Sequence, residues 1–191
     1  METQETSAIQ TTFNVSHEVA DFEKWHAIYL DTSDADARIG VLRNVDNPNM
    51  VFVGERTESH TAAREEMNSE ELHAAMKEAG VTSKPVVRLL NMVVFQPVGT
   101  DANYRVSVTH EVADFDKWRV LFDADNERRE SAGVFLTGLG SSEDNPAEVF
   151  MMFATSDIEK AKTIFNDPEL KEKMQEAGVT SAPEFNYWKM F

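Results

Sequence analysis

The chain states one pattern twice. HEVADFEKW from His17 to Trp25 returns as HEVADFDKW from His110 to Trp118, and EAGVTSKP from Glu78 to Pro85 returns as EAGVTSAP from Glu176 to Pro183. The triplet Asp46-Asn47-Pro48 returns as Asp144-Asn145-Pro146, and the order of the three blocks is the same. Recurrence in one order means duplication of a folding unit, whereas a solenoid needs more and shorter repeats. The offset is about 93 residues before the middle loop and about 98 after it, which places roughly five extra residues of copy two near Gly138 to Glu143. The organisation that follows is a flexible tail at 1–10, copy one at 11–96, a linker at 97–103 and copy two at 104–191, the linker being marked by Pro97, Gly99 and small polar residues.

Within each copy the pattern reads strand, helix, strand, strand, helix, strand. Phe13, Val15, His17 and Val19 alternate with Asn14, Ser16 and Glu18, as a two-faced strand requires, and Val106, Val108, His110 and Val112 repeat the alternation. Asp21 and Asp114 stand where an N-cap belongs, ahead of apolar stripes at Phe22, Trp25, Ile28 and Tyr29, and at Phe115, Trp118, Leu121 and Phe122. Gly40 and Gly133 suit the helix exits. A hairpin follows, Ile39–Val45 with Met50–Arg56, and in copy two Val134–Leu139 with Glu148–Phe153. The second helix is expected over Thr61–Ala79, and over Asp157–Ala177 with a break at Asn166-Asp167-Pro168. Gly80 and Gly178 end these helices, and last strands cover Pro85–Phe95 and Ala182–Phe191.

A four-stranded βαββαβ sheet carries its two helices on one face and leaves the other bare. Here both faces are apolar: Val86, Leu90, Met92 and Val94 oppose Val87, Leu89, Val93 and Phe95. A patch of that size aggregates or binds something, so the economical arrangement is sheet to sheet, copy one covering copy two with the helices outside.

The His at the end of strand one, the V-A-D-F-x-K-W that follows, the D-N-P hairpin and the E-A-G-V-x-x-x-P turn together resemble the dimeric α+β barrel superfamily, near the small proteins related to antibiotic-biosynthesis monooxygenases. The resemblance covers both copies. It implies an α+β fold of tandem ferredoxin-like repeats forming an intrachain pseudo-dimer where single-copy members pair as homodimers. It also implies a small-molecule-binding barrel. Its function is either that of a cofactor-free monooxygenase, isomerase or cyclase acting on an aromatic or polyketide-like compound, or that of a non-catalytic binding or stress-associated barrel. Whether the chain is an enzyme stays open at this point.

Composition narrows the partners. A formal charge of −16, with no basic stripe, argues against nucleic acid and against an anionic membrane surface. With no cysteine there are no disulfides, thiolate nucleophiles or cysteine-held metals. METQETSAIQ has neither the basic nor the apolar region of a signal peptide, and no apolar run reaches the length of a membrane span, so a soluble cytoplasmic protein is expected.

The candidate site rests on polar residues in strands that should be buried. His17 is the candidate catalytic base, and His110, its counterpart, is a candidate ligand-binding residue, the alternative for both being a buried ring that bonds to backbone or to Asp21 and Asp114 and holds the strand-to-helix turn. Arg43, Glu55 and Arg88 are candidate ligand-binding residues, because copy two is read as having Leu136, Phe153 and Asn186 there. Buried charge is costly unless it is paired or lines a wet pocket. Asn14 joins them because the resemblance places a pocket Asn on strand one. A bound compound would then sit in copy one, the equivalent space in copy two being filled by Leu136, Met152 and Phe153. Trp25 and Trp118 read as core. No cofactor is expected: two His without matched carboxylates are a poor metal signature, and the second helix lacks the Trp found in the monooxygenase and haem-degrading branches.

Overall fold

Burial along the first strand decides the architecture. In β1 (Gln10–Glu18), Phe13, Val15 and His17 face one way and Thr12 and Asn14 the other, and all five are buried. A strand buried on both sides has to serve two cores. The computed structural model describes residues 10–96 and 102–191; apart from Gln10, Ala102 and Asn103, the expected tail and linker lie outside the described residues.

Copy one continues with α1 (Phe22–Thr32), β2 (Arg38–Asn44), β3 (Met50–Arg56), α2 (His60–Met67), α3 (Glu70–Ala79) and β4 (Val86–Phe95). Copy two comprises β5 (Tyr104–Glu111), α4 (Phe115–Ala124), α5 (Asn126–Ser131), β6 (Phe135–Ser142), β7 (Glu148–Thr155), α6 (Ile158–Phe165), α7 (Pro168–Glu176) and β8 (Glu184–Met190). The strands close into one antiparallel barrel in the order β1-β3-β2-β8-β5-β7-β6-β4. The copies meet edge to edge as well as face to face. Leu42 to Asn44 pair with Met190 to Trp188 at one seam, and Leu90 to Phe95 with Ser142 to Gly138 at the other, so closure leaves neither sheet a free edge.

β1 and β5 are four antiparallel steps apart and run the same way. The pseudo-twofold therefore lies along the barrel axis, and counterpart residues share an end of the barrel. Three cores result. Phe13, Val15, Trp25, Val53 and their neighbours fill the space between sheet and helices in copy one. Val106, Trp118, Met151 and Phe165 belong to the same layer in copy two. Leu42, Phe52, Leu90, Met92, Phe150 and Trp188 fill the barrel interior.

The repeated motifs build one corner in each copy. Asp21 accepts from the Lys24 amide at 2.9 Å and Asp114 from the Lys117 amide at 3.1 Å, capping α1 and α4. Ser83 accepts from the Glu18 amide at 2.8 Å while Asn47 donates to the Glu18 carboxylate at 2.7 Å; Ser181, Asn145 and Glu111 repeat the clamp at 2.9 and 2.7 Å. Gly80 and Gly178 end the second helices at φ of 83° and 86°, the left-handed region that a Cβ disfavours. The D-N-P turns also tie the copies together. Arg64 reaches Asp144 at 2.6 Å, and its counterpart Lys162 reaches Asp46 at 2.8 Å.

Three expectations are corrected. The extra residues of copy two form α5, ahead of β6, and do not lie near Gly138 to Glu143. Gly54 stands opposite Gly40 and Met152 opposite Gly138, so Gly40 lies within β2 and only Gly133 marks a helix exit. The second helix of copy one is broken like that of copy two, because Ser69 accepts from the Leu72 amide at 3.2 Å and starts α3 afresh.

Candidate functional site

A cavity of about 350 Å³ lies between the sheet and the helices of copy one. Phe13, Val15 and Val53 form its sheet wall, and Trp25, Ile28, Met67, Leu72 and Met76 its helix wall. Besides Glu66, Ser69 and Glu71 around the α2–α3 break, polar groups occupy two stations. At one, His17 is 3% exposed, meets Trp25 edge-on at 5.6 Å, and has no partner for either ring nitrogen among the described residues. Burial pushes its pKa down to about 4, so the ring is neutral near pH 7. At the other, the Tyr29 hydroxyl donates to Glu55 Oε1 at 2.7 Å. Burial raises the pKa of both groups, in Tyr29 with help from the neighbouring carboxylate. Trp25 stacks on Tyr29 at 5.3 Å and joins the stations along one wall. Glu55 pairs in register with Phe13, and Val51 with His17. The stations are thus four residues apart along β1, roughly 13 Å.

Copy two keeps the pocket and loses one station. A cavity of about 270 Å³ is lined by His110, Trp118, Phe122, Phe153 and Phe165 among others. His110 repeats His17 in burial, in its 5.6 Å edge contact with Trp118 and in a pKa lowered to about 4 by burial. The second station is apolar throughout: Phe122 replaces Tyr29, Phe153 replaces Glu55, and Leu136, paired with Phe153, replaces Arg38, paired with Glu55. Polarity enters from α5 instead. Arg129, 7% exposed, stacks 3.9 Å over Phe122, donates to the Phe122 carbonyl at 2.7 Å and lines the pocket beside Lys173.

No family model matches the sequence, and neither does any curated protein. Solved structures match along almost the whole chain. An anthrone oxidase-like protein aligns with a TM-score of 0.62 at 12% identity, covering 97% of this chain and 93% of its own. A haem-binding protein from Thermus thermophilus aligns at 0.62 and 11%, covering 96% and 92%. A ferredoxin-fold protein from Listeria monocytogenes, related to antibiotic biosynthesis monooxygenases, aligns at 0.53 and 7%, covering 100% and 99%. The fold is the α+β barrel of ferredoxin-like halves that these structures share. In this barrel both halves come from one chain.

Within that fold the expected site residues separate. His17 and Glu55 meet in the copy-one pocket, and His110 lies in the copy-two pocket. Asn14 is buried but lines the barrel interior instead. Arg43 and Arg88 line none of the three cavities, which corrects their assignment to a pocket. Arg43 donates to the Pro48 carbonyl at 2.6 Å and lies 4.2 Å over Phe22, so it holds the β2–β3 hairpin. Its counterpart is Ser141, since Val51 pairs with Arg43 and Val149 with Ser141. Arg88 meets Glu148 at 3.6 Å and Glu184 at 3.3 Å, pinning copy one to copy two.

The expectation that copy two is packed shut is also corrected. Phe153 lines an open cavity, and Met152 faces the interior shared by both copies. Sequence reasoning missed Tyr29, Glu66 and Arg129. Tyr29 and Glu66 could have been found by pairing differences, since Tyr29, Glu55 and Glu66 all become apolar in copy two, as Phe122, Phe153 and Ile164.

The pockets do not fit haem. Each offers an imidazole, but the copy-one cavity is faced by Glu55, Glu66 and Glu71, with no cation for propionates. The copy-two cavity, at 270 Å³, falls below the 300–1,000 Å³ of sites that enclose drug-sized ligands. Among the described residues no three His, Cys, Asp or Glu side chains converge to hold a metal, and no helix is long and apolar enough to cross a membrane.

Proposed function

We propose that the copy-one pocket binds an elongated planar aromatic compound carrying hydroxyl or carbonyl groups, and that Glu55 removes a proton from it. The observation that carries this reading is the pair of polar stations, His17 and Tyr29–Glu55, set roughly 13 Å apart in one cavity whose sheet wall is otherwise apolar. Their separation suits two or three fused rings. His17, neutral and unpartnered, donates to or accepts from one ring substituent. As a base it is weak, because a conjugate acid of pKa about 4 holds a proton poorly near neutrality. Glu55, with its pKa raised by burial, is the stronger proton acceptor, and the Tyr29 hydroxyl occupies only one of its oxygens. Deprotonation gives an enolate or phenolate, the intermediate from which cofactor-free oxygenation, isomerisation and cyclisation all proceed. The anthrone oxidase-like protein of the same fold supports this ligand class.

The test is titration with a hydroxylated anthrone, read by Trp fluorescence, alongside oxygen uptake. His17→Ala should weaken binding about tenfold, the scale of one lost hydrogen bond. Glu55→Gln should retain binding and lose turnover. Equal affinity in His17→Ala and Glu55→Leu would refute the pocket assignment. Binding without turnover would leave a non-catalytic module, a reading favoured by copy two, which keeps the pocket without Tyr or Glu at the second station.

A further inference from the structure

The largest of the three cavities is the one in the barrel interior. It measures about 450 Å³ and opens at the end of the barrel where Arg56 and Arg105 stand. The stack of Phe52 on Phe150, 6.3 Å apart and 7° from parallel, fills the barrel further in, with Trp188 beside it.

Comparison of counterparts shows that this cavity is lopsided. In copy two, Ser107 is satisfied by the Trp188 indole, which donates to its hydroxyl at 2.9 Å, and Met152 fills the adjacent position. In copy one the counterpart of Ser107 is Asn14, that of Trp188 is Leu90, and that of Met152 is Gly54. Asn14 is 3% exposed, and neither its amide oxygen nor its nitrogen has a partner among the described residues. An unpartnered buried amide costs about 1–3 kcal/mol. Gly54 is not required by backbone conformation, and a Cβ there would meet nothing closer than 3.7 Å. Space and an unmet hydrogen-bonding group therefore coincide on the copy-one side.

The mouth supplies charge. In a chain of net charge −16, neither Arg56 nor Arg105 pairs with a carboxylate among the described residues. Arg105 donates only to the carbonyls of Ala102 and Tyr104, and Arg56 lies 5.4 Å from the Phe95 ring. Between mouth and floor the wall is Leu42 and Leu90 with Met92, Met152 and Met190, whose flexible thioethers adapt to a chain.

We propose that the barrel interior is a second binding site, separate from the helix–sheet pockets, for a medium-chain carboxylate bearing a hydroxyl or carbonyl group. The carboxylate lies at Arg56 and Arg105, the chain lies along the methionines, and the oxygen substituent meets Asn14. A chain of about ten carbons suits a cavity of this size. No residue of the aromatic pocket is needed, so the two assignments stand or fall separately.

The experiment is isothermal titration of the full chain with 3-hydroxydecanoate, decanoate and decylamine. The hydroxy acid should bind more tightly than decanoate, and decylamine should not bind. Asn14→Leu should erase the preference for the hydroxy acid, and Arg105→Gln should weaken both acids at least fivefold. Gly54→Leu should fill the cavity and abolish binding with the fold intact by circular dichroism, whereas His17→Ala should leave binding unchanged. Failure of both acids to bind, undiminished binding in Gly54→Leu, or loss of binding in His17→Ala would each overturn the proposal. Should Gly54→Leu fail to fold, the Asn14→Leu and Arg105→Gln titrations decide it.

Discussion

Two buried neutral histidines make this barrel acid-labile by an amount that the structure sets. His17 and His110 are each 3% exposed, and burial lowers each pKa from 6.5 to about 4. The unfolded chain therefore binds a proton at each imidazole more tightly than the folded one. The stability they contribute is complete above 6.5 and is lost as pH falls toward and through about 4. At about 1.4 kcal/mol per pH unit each gap amounts to about 3 kcal/mol, and between pH 7 and pH 5 the pair should cost about 4 kcal/mol. That is a large share of a net stability of about 5–15 kcal/mol.

Glu55 and Glu66 oppose the trend, since burial raises their pKa values and the fold gains from their protonation as pH falls. The histidine contribution is isolated by the double variant His17→Leu/His110→Leu, which keeps both carboxyls. Urea unfolding at pH 7, 6 and 5 should show the parent losing about 4 kcal/mol more than the variant over that range. A difference below about 1 kcal/mol would refute the reasoning, because it would mean that both rings protonate in the folded chain at little cost.

Three further outcomes follow from particular contacts. Tyr29→Phe strips buried Glu55 of its donor and should cost about 1–2 kcal/mol. Tyr29→Phe/Glu55→Phe, the pairing copy two already uses, should recover most of that in urea melts. The recovery should be larger at pH 7 than at pH 4, because the stability that Glu55 contributes is present below the ordinary carboxylate range and lost as pH rises through its raised pKa. Gly140→Ala places a Cβ 2.6 Å from the Asn91 carbonyl at the β4–β6 seam and should lower Tm by about 10 °C, whereas Gly40→Ala meets nothing within 4 Å and should leave Tm within about 2 °C. Residues 1–98 expressed alone expose both seam strands and should dimerise or aggregate in light scattering, and a stable monomer would contradict the seams' role.

The fold is legible because its signals are redundant. The repeat gives the unit, alternation in β1 and β5 gives two buried faces, and an unpaired apolar face demands a partner that the second copy supplies. The insertion is misplaced for a physical reason: α5 continues the helical region of α4, so it leaves no break in periodicity, and the loop after Gly138 offers the safer place for extra residues. His17 and Glu55 can be found because polar side chains interrupt buried strands. Arg43 and Arg88 interrupt them too, yet one is satisfied by a turn carbonyl and the other by two carboxylates of copy two, partners that no spacing reveals. Tyr29 escapes notice because its ring continues the apolar stripe of α1 and only its hydroxyl reaches Glu55. Strand parity is the other ambiguity. Of the neighbours Gly54 and Glu55, the first faces the barrel interior and the second faces the helices, which separates two cavities that the sequence pattern merges.

Fusion of the two units is what permits the asymmetry. With the pseudo-twofold along the barrel axis, a homodimer would present every interior side chain twice at the same depth. Two copies of Trp188 with Ser107 would fill the interior from both sides, and two copies of Asn14 with Gly54 would leave it open on both sides. A single chain can hold Trp188 and Met152 on one side and Asn14 and Gly54 on the other. The corner clamps have not diverged: Glu18, Asn47 and Ser83 repeat as Glu111, Asn145 and Ser181. Pocket walls are constrained mainly by volume, so the copies differ there: Tyr29, Glu55 and Glu66 against Phe122, Phe153 and Ile164 in the helix–sheet pockets, and Asn14 against Ser107 in the barrel. Differences therefore fall on three concave surfaces as well as in the inserted α5, while the caps and corner clamps repeat.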